Sequence, residues 1–389
     1  MAIEKFAFPT TIHFGAGARK LVAGHLAKQG VKRPLVVTDR GIAALPLLAQ
    51  FVGELKGLDV AVYSGIHGNP VRRQVMDGAE AYKTHGADAV VGLGGGAALD
   101  VAKAIALMAA HPGDILEYAW DHPQVRPMNQ VIPYFIALPT TAGTGSEVGR
   151  SSVISDDETH VKKIIFSPLL LAKAVFADPE LTMDLPSLIT AATGMDALTH
   201  NVESYLSPAY HPLCDGIALE GVRIAARALP LAVADGHDLP ARSDMLMASM
   251  MGAIAFQKDL GAVHSCAHAL STVADMHHGL ANGIMIDHVM RFNLPAATDK
   301  LAELAHVARV DNGDTGSTEA RARAFIAWLG KLRASIGIPA KLSHYCAPRA
   351  VQQADMPRLV EIATADICHQ TNPRKCTPAD FEKLFAAAW

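Results

Sequence analysis

Cysteine is scarce in this 389-residue chain. The five thiols, Cys214, Cys266, Cys346, Cys368 and Cys376, are odd in number, widely scattered, and form no C-x-x-C pair. That excludes a disulfide scaffold and a zinc ribbon. The opening Met-Ala-Ile-Glu-Lys-Phe lacks the apolar core of a signal peptide, and no uncharged run is continuously hydrophobic over a membrane-spanning length. A reducing, cytoplasmic location without membrane association is therefore expected. Like charges form no long run, and a net charge of −4 leaves no basic footprint for nucleic acid. With 50% hydrophobic and 19% charged residues the composition is that of a globular protein long enough for two domains, each with a core.

Histidine is what the chain has in quantity, 18 residues in all. Asp196 and His200 lie four apart in an apolar helical background, so both point to one side of a helix. His264 and His268 share that spacing. His278 follows in a polar segment, Met276-His277-His278-Gly279, that reads as a loop. One carboxylate and three imidazoles from these segments make a mixed oxygen and nitrogen site for a divalent first-row metal. Thiolate sites and all-oxygen calcium sites fit that set less well. A lone H-x3-H arises by chance in a histidine-rich chain; two such pairs, one of them D-x3-H, weigh against chance.

From about residue 34 to 146, short apolar strands alternate with amphipathic helices. Pro34–Asp39, Asp59–Tyr63, Ala87–Gly92 and Ile132–Leu138 read as strands, and Ile42–Leu55, Val71–His85 and Ala97–Ala110 as helices. The alternation implies an open α/β layer of parallel strands, with ligands at the strands' carboxyl ends. Gly92-Leu-Gly94-Gly95-Gly96-Ala97 follows a strand and opens a helix, a place for a pyrophosphate. It is not the usual first-strand G-x-G-x-x-G, and a glycine triplet alone is as often a tight turn. A second strand-end loop, Leu138-Pro-Thr140-Thr141-Ala-Gly-Thr144-Gly-Ser146-Glu147, adds hydroxyls, and the two together favour a dinucleotide. Asp39 would accept from a ribose hydroxyl and repel a 2′-phosphate, or would serve as a turn or helix cap. Asn69-Pro70 is a turn signal at a similar position. Ser151–Asp156 and His160–Phe166 alternate as a hairpin carrying Lys162.

Prolines between Asp178 and Pro186 mark a boundary, giving domains over 1–185 and 186–389. Beyond it the pattern is helical, over Ser187–Thr193, Cys214–Leu229, Ala241–Phe256, Ala262–Ala274, Asp287–Asn293, Leu301–Val310, Thr318–Ile336 and Asp380–Ala388.

These residues give the chain a resemblance to the iron-containing (group III) alcohol dehydrogenases, and within them to the lactaldehyde reductase and 1,3-propanediol dehydrogenase type. It is carried by the loops at 94–100 and 138–147, by Ala192-Thr-Gly-Met-Asp196-Ala-Leu-Thr-His200, by His264-x3-His268, by His278-Gly279-x2-Asn282-Gly283, and by Thr371-Asn-Pro-Arg374. The resemblance implies an α/β Rossmann-like dinucleotide domain followed by an all-helical metal-binding domain, the dehydroquinate synthase-like architecture. It implies Asp196, His200, His264 and His278 as ligands of Fe2+ or Zn2+, and His268 as a proton-relay residue. It implies NAD contacts at Asp39, Asn69, Gly95, Gly96, Ala97, Thr140, Thr141, Thr144, Ser151 and Lys162. The expected reaction is reversible hydride transfer between NAD(H) and a small primary alcohol or aldehyde, in a homodimer. A metal- and NAD-dependent lyase of the dehydroquinate synthase kind, or a reductase of hydroxy-acid semialdehydes using Arg150, are the alternatives. Ala97 stands where the family commonly has serine and Ser151 where some relatives have asparagine. His277 and Cys266 add an imidazole and a thiol beside the site.

Overall fold

The computed structural model describes residues 8, 10–310, 316–346 and 348–389. They form two compact units, one running to Thr141 and resuming over Gly145–Met183, the other holding Ala142–Thr144 and Asp184–Trp389.

The first unit is built on strands β1 (Thr11–Phe14), β2 (Pro34–Asp39), β3 (Ala61–Ile66), β4 (Ala89–Gly94), β5 (Tyr134–Pro139) and β8 (Ala174–Ala177), all parallel, in the order β1-β8-β5-β4-β2-β3. Strands β6 (Ser151–Ser155) and β7 (Lys162–Phe166) make a separate antiparallel hairpin. Strands β4 and β5 are almost wholly buried, as a sheet covered on both faces requires. Helices α1 (Val22–Lys28), α2 (Arg40–Ala43), α3 (Pro46–Glu54), α4 (Arg72–His85) and α5 (Gly96–Ala110) complete the unit. This is the expected α/β layer. The helix expected over Ile42–Leu55 is instead two, because Leu45, preceding Pro46, is extended and Pro46 starts a new helix. Strands β1 and β8 had no sequence signal; four residues each are too short for a pattern. From β2 the chain adds β3 on one side and β4 on the other, so the order reverses between β2 and β4. The crevice beyond their carboxyl ends is where such sheets take a nucleotide.

The second unit holds α6 (Ser187–Leu206), α7 (Pro212–Ala234), α8 (Leu239–Ala255), α9 (Ala262–Ala274), α10 (His278–Val307), α11 (Thr318–Ser335), α12 (Met356–Ala365) and α13 (Pro378–Ala387), with no strand among its described residues. Helix α6 packs against α7, α8 and α10, which buries the face carrying Asp196 and His200 along with most of its length. The segments Asp287–Asn293 and Leu301–Val310 are joined in α10, which bends at Ala297 (φ −138°, ψ 27°) just after Pro295. The proline lacks an N–H and clashes with the preceding turn, so the sequence pattern breaks where the helix only kinks. His278, expected in a loop, is the first residue of α10, with His277 as its N-cap. No helix among the described residues is long and apolar enough to cross a membrane.

Helices α6 and α10 meet at Gly279. A β-carbon there would lie 2.1 Å from the Ala192 carbonyl oxygen, a rigid backbone atom. Gly279→Ala is therefore expected to destabilise the helical unit by about 2 kcal/mol. Calorimetry should show its thermal midpoint lowered by about 4–8 °C; an unchanged midpoint would mean the helices approach less closely than this.

Candidate active site

Three helices bring the carboxylate and imidazoles together. Asp196, His200 and Glu203 occupy successive turns on one face of α6, all at most 5% exposed. Helix α9 contributes His264 and His268, and α10 contributes His278 from its first turn. The Nε2 atoms of His200, His264 and His278 lie 3.8, 3.7 and 3.5 Å from the same atom, Oδ1 of Asp196. These separations are too long for hydrogen bonds. They are close to the spacing of about 3.4 Å between neighbouring ligands in a tetrahedral shell with bonds of about 2.1 Å. Donor atoms of Asp196, His200 and His264 all fall within 4.8 Å of one another. The donor set fits one divalent transition-metal ion, and three imidazoles with a carboxylate suit iron or zinc.

Electrostatics support the same reading. Burial works to raise the Asp196 carboxyl, but His200, His278 and His264 together hold it well below the usual carboxylate range. Burial pulls His200 down to about 4, with Asp196 only partly opposing it. His264 goes the other way: burial is outweighed by Asp196 and Glu203, and its imidazole is pushed up to about 9. The Asn282 amide donates to Asp196 Oδ1 at 2.7 Å, one turn beyond His278 on α10.

Glu203 escaped the sequence reading, although its place three residues after His200 continues the buried face. Its Oε2 lies 2.6 Å from Nδ1 of His264, which fixes the ring proton there and turns Nε2 toward Asp196. Glu203 also accepts from the backbone N–H groups of Gly261, Val263 and His264, at the start of α9. The positive end of that helix faces the carboxylate. A β-carbon at Gly261 would stand 2.6 Å from Glu203 Oε1, so only glycine permits the approach. Asn372, in the Thr371–Arg374 motif, holds the same helix end. Its amide oxygen accepts from Ala262 N–H and from Asn293 on α10, and its amide nitrogen donates back to Asn293 at 2.7 Å.

His268 is set apart from the Asp196 cluster. Its Nδ1 lies 2.7 Å from Oδ2 of Asp366, and its ring stacks on that of His278 at 5.2 Å. Asp366 is 98 residues away in sequence and carried no signal. Its carboxyl, largely shielded from solvent but paired with His268, is held well below the usual range. His277 is exposed. Cys266 is buried and its thiol is pushed well up by that burial, which disfavours the thiolate.

In the sheet unit, a cavity of about 290 Å3 opens at the switch point, lined by Asp39, Arg40, His67, Gly95 and Ala97 among others. Gly95 is the N-cap of α5 and Gly96 its first residue, and no side chain caps the helix, leaving its first N–H groups for an anion. Asp39 is both things the sequence allowed: its Oδ1 caps α2 through Ile42 N–H at 2.9 Å, and the residue lines the cavity. Asn69 follows β3. Thr140 N–H bonds the Gly94 carbonyl at 3.0 Å, and the Thr141 side chain packs beside Gly95. Ser151 and Lys162 sit at opposite ends of the β6–β7 hairpin, paired with Phe166 and Ser155, about 14 Å apart along the ladder. Thr144 groups with the helical unit. Arg150 lies over the Phe166 ring, 5.7 Å from its centroid.

A buried polar network behind α5 was also unforeseen. Asp100 accepts from Ser146 Oγ at 2.6 Å and from Val153 N–H at 2.9 Å. Lys103, fully buried, donates to Ser146 Oγ and to the Ser151 carbonyl, both at 2.8 Å. Its ammonium is pulled down by burial, against Asp100 and Glu147. Glu147, buried nearby with one oxygen lacking a hydrogen-bond partner, is pushed up to about 7 by burial, with Lys103 opposing. These contacts bolt the hydroxyl-rich loop and the hairpin to the helix that begins at Gly96.

A parallel-sheet nucleotide unit, and a helical unit with one carboxylate and three imidazoles aimed at a common point, define a metal-dependent dehydrogenase. The iron-containing alcohol dehydrogenase family matches residues 9–179 and its C-terminal family matches 190–389. The chain belongs to the iron-containing alcohol dehydrogenases. It is 37% identical over 386 residues to 4-hydroxybutyrate dehydrogenase of Cupriavidus necator, covering 96% of this chain and 97% of that protein. It is likewise 37% identical over 386 residues to 1,3-propanediol dehydrogenase of Citrobacter freundii, covering 98% and 97%. A solved 1,3-propanediol oxidoreductase superposes with a TM-score of 0.92 at 36% identity over the full length of both chains.

Two outcomes follow from this geometry. Glu203→Gln keeps the shape but loses the charge that orients His264, and should weaken divalent-metal affinity about 10–100-fold by competition with a chelator. Equal affinity would deny Glu203 that role. Glu147 holds its proton more tightly folded than unfolded, since about 7 exceeds the ordinary 4.5. Its contribution to stability is full below about pH 4.5 and is lost as pH rises through about 7. Denaturation across that window should show Glu147→Gln losing less stability than wild type; parallel curves would mean that folding leaves the proton affinity of Glu147 unchanged.

Proposed function

We propose that the chain catalyses reversible hydride transfer between NAD(H) and a small primary alcohol or its aldehyde, with Asp196, His200, His264 and His278 holding Fe2+ or Zn2+. The observation that carries this reading is the set of three Nε2 atoms at 3.5–3.8 Å from one oxygen of Asp196. A bound divalent ion would supply Lewis acidity at the reacting oxygen, and nicotinamide would carry the hydride. The chain's own residues do the rest. Glu203 keeps His264 in one tautomer. Asp366 accepts from Nδ1 of His268, which leaves Nε2 to take or give a proton. In the sheet unit Asp39, Gly95, Gly96 and Ala97 would hold the dinucleotide, with Asn69, Thr140, Thr141, Thr144, Ser151 and Lys162 as further contacts. The acidic Asp39 favours NAD over its 2′-phosphorylated form. A homodimer and a cytoplasmic location belong to the same reading, the latter in keeping with five free thiols.

A hydroxy-acid semialdehyde is the second substrate class, favoured by the similarity to a 4-hydroxybutyrate dehydrogenase. A lyase of the dehydroquinate synthase kind would instead return the hydride it takes, with no net change in NADH.

Protein stripped with a chelator and refilled anaerobically with ferrous iron or zinc should regain NADH oxidation with short aldehydes or semialdehyde carboxylates. Asp196→Ala and His264→Ala should lose both metal retention and turnover, falling to background. Tight NADH binding without turnover for any metal or aldehyde would overturn the dehydrogenase reading, and full activity in either variant would overturn the ligand assignment.

A further inference from the structure

Beside the Asp196 cluster lies a second group of metal-binding side chains that the proposed reaction uses only in part. His268, Asp366 and Cys368 each present a donor atom, and the three atoms lie within 4.8 Å of one another. All three residues are partly exposed, and the Cys368 thiol, pushed well up by burial and by Asp366, must give up its proton to an entering ion. The group is held in place by its neighbours. Asp366 Oδ1 accepts from Ser265 Oγ at 2.8 Å and from Cys368 N–H at 2.9 Å, and Ser265 Oγ in turn accepts from His369 N–H at 3.0 Å. Asp366 Oδ2 takes the Nδ1 side of His268.

We propose that His268, Asp366 and Cys368 form a second metal site, selective for a thiophilic divalent cation such as zinc or cadmium, whose occupation silences His268. One thiolate, one imidazole and one carboxylate are a softer set than the cluster at Asp196, which contains no sulfur. Three protein ligands leave a fourth position for water. Nδ1 and Oδ2, now 2.7 Å apart, need separate by about 0.7 Å to share an ion in a tetrahedral shell. Binding balances simply: the Cys368 thiol releases its proton to water, and the proton on Nδ1 is replaced by one on Nε2. Nothing is oxidised or reduced. With the metal on Nδ1 and a proton on Nε2, the imidazole has no lone pair left to accept a proton. That consequence rests on the proton-carrying role proposed for His268; the binding itself does not.

The test is a cadmium titration of iron-loaded enzyme, following cadmium-thiolate charge-transfer absorption, bound cadmium, retained iron and aldehyde reduction together. The wild type should take up one cadmium with a thiolate band, keep its iron, and lose turnover in step. Cys368→Ser, with unchanged basal activity, should lose the band and need at least tenfold more cadmium for half-inhibition. Cys346→Ser, which removes an exposed thiol elsewhere, should keep the band. No band in the wild type, a band that survives Cys368→Ser, or iron lost as cadmium enters would each overturn the site. A Cys368-dependent band with undiminished turnover would support the site and overturn the role given to His268.

Discussion

A carboxylate buried in a protein must be neutralised or it costs several kcal/mol, and the helical unit is arranged around that requirement at Asp196. The residue is 2% exposed, on a helix packed among three others. Burial alone would protonate it, and the three surrounding imidazoles reverse that tendency. Those imidazoles come from α6, α9 and α10, so all three helices must keep their mutual positions for the charge to be tolerated. The same arrangement suits a cation. A structure that compensates one buried charge with nitrogen donors, rather than with lysine or arginine, leaves lone pairs facing a common centre once the rings are neutral.

Glu203 poses the same problem two turns further along α6 and receives a different solution. It is compensated by backbone N–H groups at a helix start and by the ring of His264. Asp196 and Glu203 together push the His264 imidazole up against burial, whereas at His200 burial outweighs the carboxylates and pulls the ring down. The Asn372–Asn293 amide pair ties the start of α9 to α10. Metal ligand, orienting carboxylate and helix clamp form one mechanical chain, and the family motif at Thr371–Arg374 is an element of it rather than a ligand source.

The legibility of the site in the sequence follows from distance along the chain. Asp196 with His200, and His264 with His268, could be read because a helical turn puts them on one face. Glu203 obeyed the same periodicity but, without a partner four residues off, looked like any helical glutamate. His278 reads as a loop residue in the sequence because a helix start flanked by histidine and glycine carries the composition of a loop; the close Gly279 approach to α6 accounts for that glycine. Asp366 could not be found at all, since only folding brings it to His268 across 98 residues. In the sheet unit the glycine loop and Asp39 were legible because each closes a strand, whereas the four-residue strands β1 and β8 had no room for a pattern.

Asp39 and Ala97 limit how that sheet unit can select a ligand. One oxygen of Asp39 is committed to capping α2, so the side chain is fixed by the fold before any ligand arrives. Its charge then stands at the cavity in an orientation that a 2′-phosphate could not displace without uncapping the helix, a cost of about 1 kcal/mol added to the repulsion itself. Ala97 offers no hydroxyl in the first turn of α5, so an anion bound there would rest on backbone N–H groups. Backbone donors read the charge and position of a phosphate but not the rest of the nucleotide. A dinucleotide bound in this cavity would meet the fixed carboxylate of Asp39 beside Arg40, while Ala97 removes a hydroxyl from the helix start without changing those charges.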